Sequence, residues 1–572
     1  MNAAWTSNNG IVLTDLVPSR LRRAWVQEGY CPDVDLYTLF RRRVRDHPHR
    51  DAVVDAEGTL DYAALDARVR GIAGALSKAG FGPGDIVAVQ LSDGWRAAAA
   101  ELAVAAIGGV SLPYPAMRGR AGITALLRRS RASAVIAGDA TGRTDPLAEL
   151  ARLRPEAPHL ASVFSLGAGT GPRAGAVPLD AAAADGAGCD GPGTAVPPES
   201  PARILVTSGS ESEPKMIAYS HNAFAGGRTN YVAALHDGSV PMRNLVLVPL
   251  ASSYGSLGVP VTLAGLGGTL IVLERFDPAA ALRAAAEHRP THLFAVPTML
   301  RRMAARPHRP DEDTSSLRTV VTSSAVLEAG VLDATRARFG RPVLTVYGSA
   351  DGMNCHTPYG TSARPGGVTG PPDPAAAEIR IVASDGLDAA PGVEGEIWAR
   401  GPMSPLCYVN APESDARYRS DDGWVRSGDR GRFEDDGALR VIDRIKRVVK
   451  RGGYSISPRE VERRVAAHPA VAEAVCVPVP DEDLGERLCA CVVQRAGAAP
   501  LALAELTVFL EDAVGLERVK LPEALLRLSE MPLGATGKVC HRTLAEWAAS
   551  SGERASASAP GAAPPAAARH GR

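Results

Sequence analysis

The chain has 572 residues and a formal net charge of zero, with 63 Lys+Arg against 63 Asp+Glu. At ~100–200 residues per domain that length calls for at least two domains, more than one ordinary core supports. The charge balance argues against a nucleic-acid coat or a polybasic membrane binder, and 45% hydrophobic with 22% charged residues is an ordinary globular composition.

Met1–Gly10 is polar and lacks the apolar core of a secretory signal. Leu65, Val69, Ile72 and Leu76 recur at helical spacing and predict a helix within Leu60–Gly80. An apolar strand follows at Ile86–Leu91. The most apolar stretch, Ala97–Leu112, is interrupted by Glu101 and is too short to span a bilayer. A further strand falls at Ala134–Ala137, and the alternation predicts an α/β sheet covered by helices. Gly167–Ser200 is rich in Gly, Ala and Pro and reads as a flexible surface insertion rather than a packed element.

Short apolar strands separated by Gly and Pro turns occupy Val368–Ile442. A boundary is expected near Asp443, giving a domain at 1–442, a compact α+β domain at 443–548 and a disordered tail at 549–572. Gly (58) and Pro (44) together exceed the ~12% of average usage, which implies many loops. Eight cysteines occur without any C-x-x-C, so neither a zinc site nor a disulfide framework is expected. Cys489 and Cys491 alternate in "LCACVV" and predict one buried strand face. A reduced, cytoplasmic protein with no nucleic-acid or membrane partner is the expectation.

Five segments carry chemistry-bearing residues. "TSGSESEPKM", Thr207–Met216, follows the apolar strand "RILV", and a hydroxyl- and Gly-rich loop between a strand and a helix suits phosphate oxygens. Pro214 stands where a Walker loop needs its second Gly. "VYGSADG" holds Tyr347 and Asp351, and "WVRSGDRGRF" holds Asp429 in an expected loop. "DRIKRVVKRGG" carries Arg444, Lys446, Gly452 and Gly453, and "MPLGATGKVCHR" carries Lys538.

In this order, from about Pro32 to Ala548, the set resembles the adenylate-forming (ANL) superfamily: acyl-CoA synthetases, aryl-acid-activating ligases and firefly luciferase. "RRAWVQEGY" and "GSADG" are most similar to the aryl-acid branch. The resemblance implies an α/β fold, with a large N-terminal region of two sheet subdomains and a β-barrel, then a small mobile C-terminal domain. It implies an acyl-CoA ligase working through an acyl-adenylate. Tyr347 would pack on adenine, Asp429 would bind the ribose hydroxyls, and Arg444 would steady the ribose and phosphate end. Gly348, Ser323, Ser324 and Ala325 complete the implied AMP site. Lys538 would bridge the acid and the α-phosphate during adenylation. Lys446 would be the hinge of the small domain, and Gly452 and Gly453 would leave room for pantetheine.

Several positions depart from the family pattern S-G-T-T-G-x-P-K-G. Here the loop reads Ser208, Gly209, Ser210, Glu211, Ser212, Glu213, Pro214, Lys215, Met216. Glu211 puts an anion where β- and γ-phosphates should lie. Ser212 and Met216 replace glycines, and Asp351 replaces the Glu implied to hold Mg²⁺, one methylene shorter. These changes cluster on the triphosphate and metal, so thioesterification is expected to be strong and ATP-dependent adenylation weak or inactive. CoA and acyl-AMP are the expected ligands, with ATP and Mg²⁺ if adenylation is retained; a separate enzyme could supply the adenylate. The implied acyl pocket takes in Ser252, Ser253, Tyr254, Gly255, Ser349 and Ala350, and its small residues suit a bulky acid. A fully ATP-dependent ligase, a loader of carrier-protein phosphopantetheine and a non-catalytic adenylate binder stay open as alternatives.

Overall fold

The computed structural model describes residues 3–115, 120–139, 145–167, 175–185, 193–207, 215–445, 449–451, 454–481, 484–534 and 538–555. They fall into a larger unit running to Ile442, together with Lys538, and a smaller unit from Asp443 to Gly534 with the segment from Val539. The fold is mixed α/β, with large sheets in the first unit and a small second one.

Two eight-stranded sheets dominate the larger unit. The first runs in the order Cys407–Tyr408, Met216–Ser220, Pro201–Val206, Val110–Pro113, Ile86–Gln90, Ala134–Ala137, Ser162–Ser165, Ala176–Pro178. The second runs Met353–His356, Val343–Ser349, Thr319–Ser323, His292–Ala295, Arg243–Val246, Thr269–Val272, Asp51–Asp55, Gly58–Asp61. Their central strands pair in parallel and are buried on both faces, so they read as continuous apolar runs. The predicted helix forms at Tyr62–Lys78, where Asp61 caps it by accepting the Ala64 amide at 2.7 Å. With helix Trp95–Ala106 it shares one core with Val87 and Val89 of the first sheet and Val53 and Val54 of the second. A four-stranded sheet (Glu378–Val382, Gly395–Arg400, Val425–Phe433, Leu439–Arg444) stands where the resemblance puts a barrel.

Part of the expected insertion at 167–200 is packed. Ala176–Pro178 pairs in parallel with Ser162–Ser165, and helix Asp180–Asp185 buries Leu179 and Ala183 beside it. Composition hid this because the neighbour supplies the fit: any side chain at Gly71 would collide with the Ala182 carbonyl. Helix His541–Ala555 likewise continues past 549, where a tail was expected to begin.

The smaller unit folds a five-stranded sheet around Gly485–Gln494 and Val471–Asp481. Cys489 and Cys491 are buried on one face with Met531 and Leu544, as the alternation predicts. Among the described residues no helix is long and apolar enough to cross a membrane.

Candidate functional site

The C-terminal ends of the second sheet's parallel strands gather many of the residues singled out above, and open α/β sheets bind ligands at such ends. Ser323 pairs with Val346 in the parallel register, so Ser324 comes level with Tyr347. Ser323 is buried, Ala325 is exposed, and Ser324 holds φ at +79°. That left-handed conformation costs a non-glycine residue ~1–3 kcal/mol and concentrates at ligand sites.

Tyr347 Oη donates to Asp429 Oδ2 at 2.8 Å and so joins the second sheet to the third. Asp429 lies within strand Val425–Phe433 rather than in the loop its sequence suggested. The strand was illegible because its register shifts against Gly395–Arg400 and breaks the period of two. Ser427 Oγ accepts the Asp429 amide at 2.8 Å, and Glu396 accepts the Gly428 amide and Trp398 Nε1, each at 2.9 Å. A buried carboxylate is thereby fixed on a braced bulge.

Gly348 is exposed, and Ser349 Oγ accepts the Asp351 amide at 3.0 Å. Ala350 is buried, and its carbonyl accepts from Tyr219 Oη at 2.6 Å. Tyr408 Oη donates to Asp351 Oδ1. Among the described residues no group of three or more His, Cys, Asp or Glu could hold a metal ion. Mg²⁺ is commonly bound by one or two carboxylates plus substrate phosphates. A short carboxylate with one oxygen already engaged fits that ion poorly.

The amide of Thr207 donates to the Lys215 carbonyl at 2.9 Å, and the Lys215 amide to Thr207 Oγ1 at 3.1 Å. These bonds close a hairpin between antiparallel strands Pro201–Val206 and Met216–Ser220, where a strand-to-helix turn was expected. Met216–Ser220 is wholly buried and extended; helix starts only at His221, after Ser220 Oγ caps the Ala223 amide at 3.2 Å. The Lys215 ammonium stands 3.6 Å from the Tyr418 ring centroid, a cation–π contact. Ser208, Gly209, Ser210, Glu211 and Ser212 lie outside the described residues, as do Lys446, Gly452 and Gly453.

Ser252, Ser253, Tyr254 and Gly255 form a tight turn. Ser252 Oγ accepts the Gly255 amide at 2.9 Å, and Ser256 Oγ donates to the Ser253 carbonyl at 2.6 Å. A side chain at position 255 would collide with the Pro249 carbonyl. Tyr254 Oη donates to the Val321 carbonyl at 3.3 Å, tying the turn to strand Thr319–Ser323.

Just before this turn, the Leu250 amide donates to Asp93 Oδ1 at 3.0 Å and its carbonyl accepts from Arg203 Nη2 at 2.7 Å. Arg203 pairs with Glu101 at 2.7 Å, both buried. Burial pushes Asp93 up to about 7, with Glu101 and Glu274 adding to the rise and Arg203 opposing it. Burial also pushes Glu101 up to about 7, against the pull of Arg203. Folded chains therefore hold protons that unfolded chains have released between about pH 4 and 7, so this cluster's contribution falls as pH rises through that window and is constant above it. Asp93→Asn keeps an acceptor for the Leu250 amide and removes the titration. In calorimetry, Tm of the variant is expected to fall less than wild type between pH 5 and 7.5; parallel profiles would contradict this.

In the smaller unit Asp443 is buried, accepting from Ser457 Oγ and, at 2.8 Å, from the Arg444 amide. Arg444 is exposed. Lys538 is exposed and adjoins the bridge between Leu533 and Val539. Tyr408, Glu396 and Arg228 were missed in the sequence; a lone Arg in "AFAGGRTNYV" was the one usable signal.

Residues 40–409 match the AMP-binding enzyme family and residues 460–538 the AMP-binding enzyme C-terminal domain. A salicyl-AMP ligase / salicyl-S-ArCP synthetase of Mycobacterium tuberculosis is 31% identical over 525 residues, covering 90% of this chain and 91% of the relative. A 2-hydroxy-7-methoxy-5-methyl-1-naphthoate–CoA ligase of Streptomyces carzinostaticus is 29% identical over 549 residues, covering 92% and 95%. ATP-bound MatB of Rhodopseudomonas palustris has the same fold, with TM-score 0.79, 28% identity, and coverage of 90% of this chain and 99% of MatB.

Proposed function

Because the chain belongs to the AMP-binding enzymes of the adenylate-forming (ANL) superfamily, we propose that it is an acyl-CoA ligase strong in thioesterification and weak in ATP-dependent adenylation. The observation that carries this reading is a contrast. Tyr347 and Asp429, the residues that the resemblance gives to adenine and ribose, are retained and hydrogen-bonded to each other, while the loop meant for phosphates carries Glu211 and Ser212. Met216, in place of the loop's last glycine, is committed to a buried strand.

Tyr347 packs on adenine, Asp429 accepts from the ribose hydroxyls, and Arg444 steadies the ribose and phosphate. In the proposed step the CoA thiol gives its proton to water, its sulfur attacks the acyl carbonyl, a C–S bond forms, and the bond from the acyl carbon to the phosphate oxygen breaks, its electron pair leaving with AMP. Gly452 and Gly453 leave room for the pantetheine arm, and Lys446 is the hinge between half-reactions. Lys538 would serve the first half-reaction, which in this chain is weak or inactive. A separate adenylating enzyme supplies the bulk of the intermediate. The acid is bulky, a reading that rests on the small side chains of Ser252 and Ser253, since Gly255 is packed against the Pro249 carbonyl and opens no room of its own. A carrier-protein phosphopantetheine as acceptor is the second reading, favoured by the similarity to a salicyl-S-ArCP synthetase. Pyrophosphate release from acid and ATP alone tests the proposal: a rate equal to that of an ordinary acyl-CoA ligase would overturn it.

A further inference from the structure

Arg228 ends the π-helical segment Phe224–Arg228, an irregular geometry frequent at functional sites. Its side chain is buried, with the residue only 3% exposed. Nη1 donates to Ser256 Oγ at 3.1 Å and to the Ser253 carbonyl at 3.4 Å, and Nη2 donates to Tyr219 Oη at 3.1 Å. The guanidinium carbon lies 4.6 Å from the Tyr219 ring centroid. Tyr219 in turn holds the Ala350 carbonyl. Arg228 therefore sits where the Ser252–Gly255 turn and the Ser349–Ala350 turn, the two walls of the implied acyl pocket, are tied together.

What this guanidinium lacks is an anion. Buried Arg22 and Arg203 pair with Asp15 and Glu101, and the Arg338 side chain pairs with Glu312. Buried Arg419 shares with Arg228 the absence of an ion pair among the described residues but lies away from the two acyl-pocket turns, donating to the Pro405 carbonyl. Arg228 has no such ion pair among the described residues, and its Nε has no hydrogen-bond partner. A guanidinium offers five N–H donors. Three acceptors are named above, so Nε–H and a second Nη2–H remain, enough for both oxygens of a carboxylate. Burying a cation unpaired costs far more than burying it paired.

We propose that Arg228 is a specificity-determining residue that pairs with a second anionic oxygen group on the acyl chain, so that the substrate class is acids carrying a distal carboxylate. This deepens the acyl-ligase reading and rests on it. The bulky acid expected from the small serine lining then carries its charge at the end remote from the reacting carbonyl.

The test uses two non-reactive adenosine N-acylsulfamates, one acyl group being cyclohexanecarbonyl and the other its 4-carboxy derivative, titrated calorimetrically into the full chain. Wild type is expected to bind the 4-carboxy analogue at least 20-fold more tightly. In Arg228→Met the ratio is expected to fall below 2, and Arg228→Lys, which keeps the charge, should hold a ratio above 5. A wild-type ratio of one or less, or an unchanged ratio in Arg228→Met, would overturn the proposal, whether or not a variant folds poorly. Equal weakening of both analogues in Arg228→Met would make Arg228 a strut and also overturn it. Because the analogues cannot react, this outcome is separate from the ligase reading. Failure of the matching true adenylates to give thioester with CoA would count against that reading alone.

Discussion

Asp429→Ala is expected to cut thioester formation from a preformed acyl-adenylate by about 10²- to 10⁴-fold in kcat/KM, with most of the loss in KM. Two hydrogen bonds to an ionised carboxylate are worth roughly 1.5–3 kcal/mol each. Each 1.36 kcal/mol is a factor of about ten. The carboxylate is buried, and Ser427, Glu396 and the Tyr347 hydroxyl at 2.8 Å hold its segment, so it is presented without reorganisation. Tyr347→Phe removes only the brace and should cost about tenfold. Kinetics with synthetic adenylate decide this; an Asp429→Ala enzyme within threefold of wild type would remove Asp429 from the nucleotide site.

Glu211→Thr combined with Ser212→Gly is expected to raise acid-dependent pyrophosphate release by about 10²-fold. Two unit charges ~5 Å apart repel by about 3 kcal/mol at an effective dielectric near 20, which is the factor quoted. The double change restores a hydroxyl donor and a residue free to take φ above zero. Thioester formation from preformed adenylate lacks β- and γ-phosphates and should gain far less. No gain in pyrophosphate release would mean that Glu211 is not what limits adenylation.

Legibility in the sequence followed burial. Ala134–Ala137 and the helix at Tyr62–Lys78 were readable because apolar periodicity records which face meets a core. Ala176–Asp185 was unreadable because its helix fits where the glycine at position 71 lets the Ala182 carbonyl come close, a fit that composition does not encode. The Tyr347–Asp429 pair was reachable through motif order, yet the strand carrying Asp429 was not, since "VRSGDRGRF" lacks alternation where the ladder bulges. Tyr408 and Asp351 stand 57 residues apart and meet only through sheet topology, so the hydroxyl that occupies the presumed metal ligand left no local trace. Arg228 did leave one, as a charge inside an otherwise apolar buried segment.

The most direct measurement compares CoA-thioester formation by wild-type enzyme from synthetic acyl-adenylate with that from the same acid plus ATP and Mg²⁺. The same 4-carboxycyclohexanecarbonyl group serves in both arms. A rate at least 100-fold higher from the adenylate is the result expected of an enzyme specialised for the second half-reaction. Equal rates from the two starting points would contradict that specialisation and leave a ligase that runs both halves.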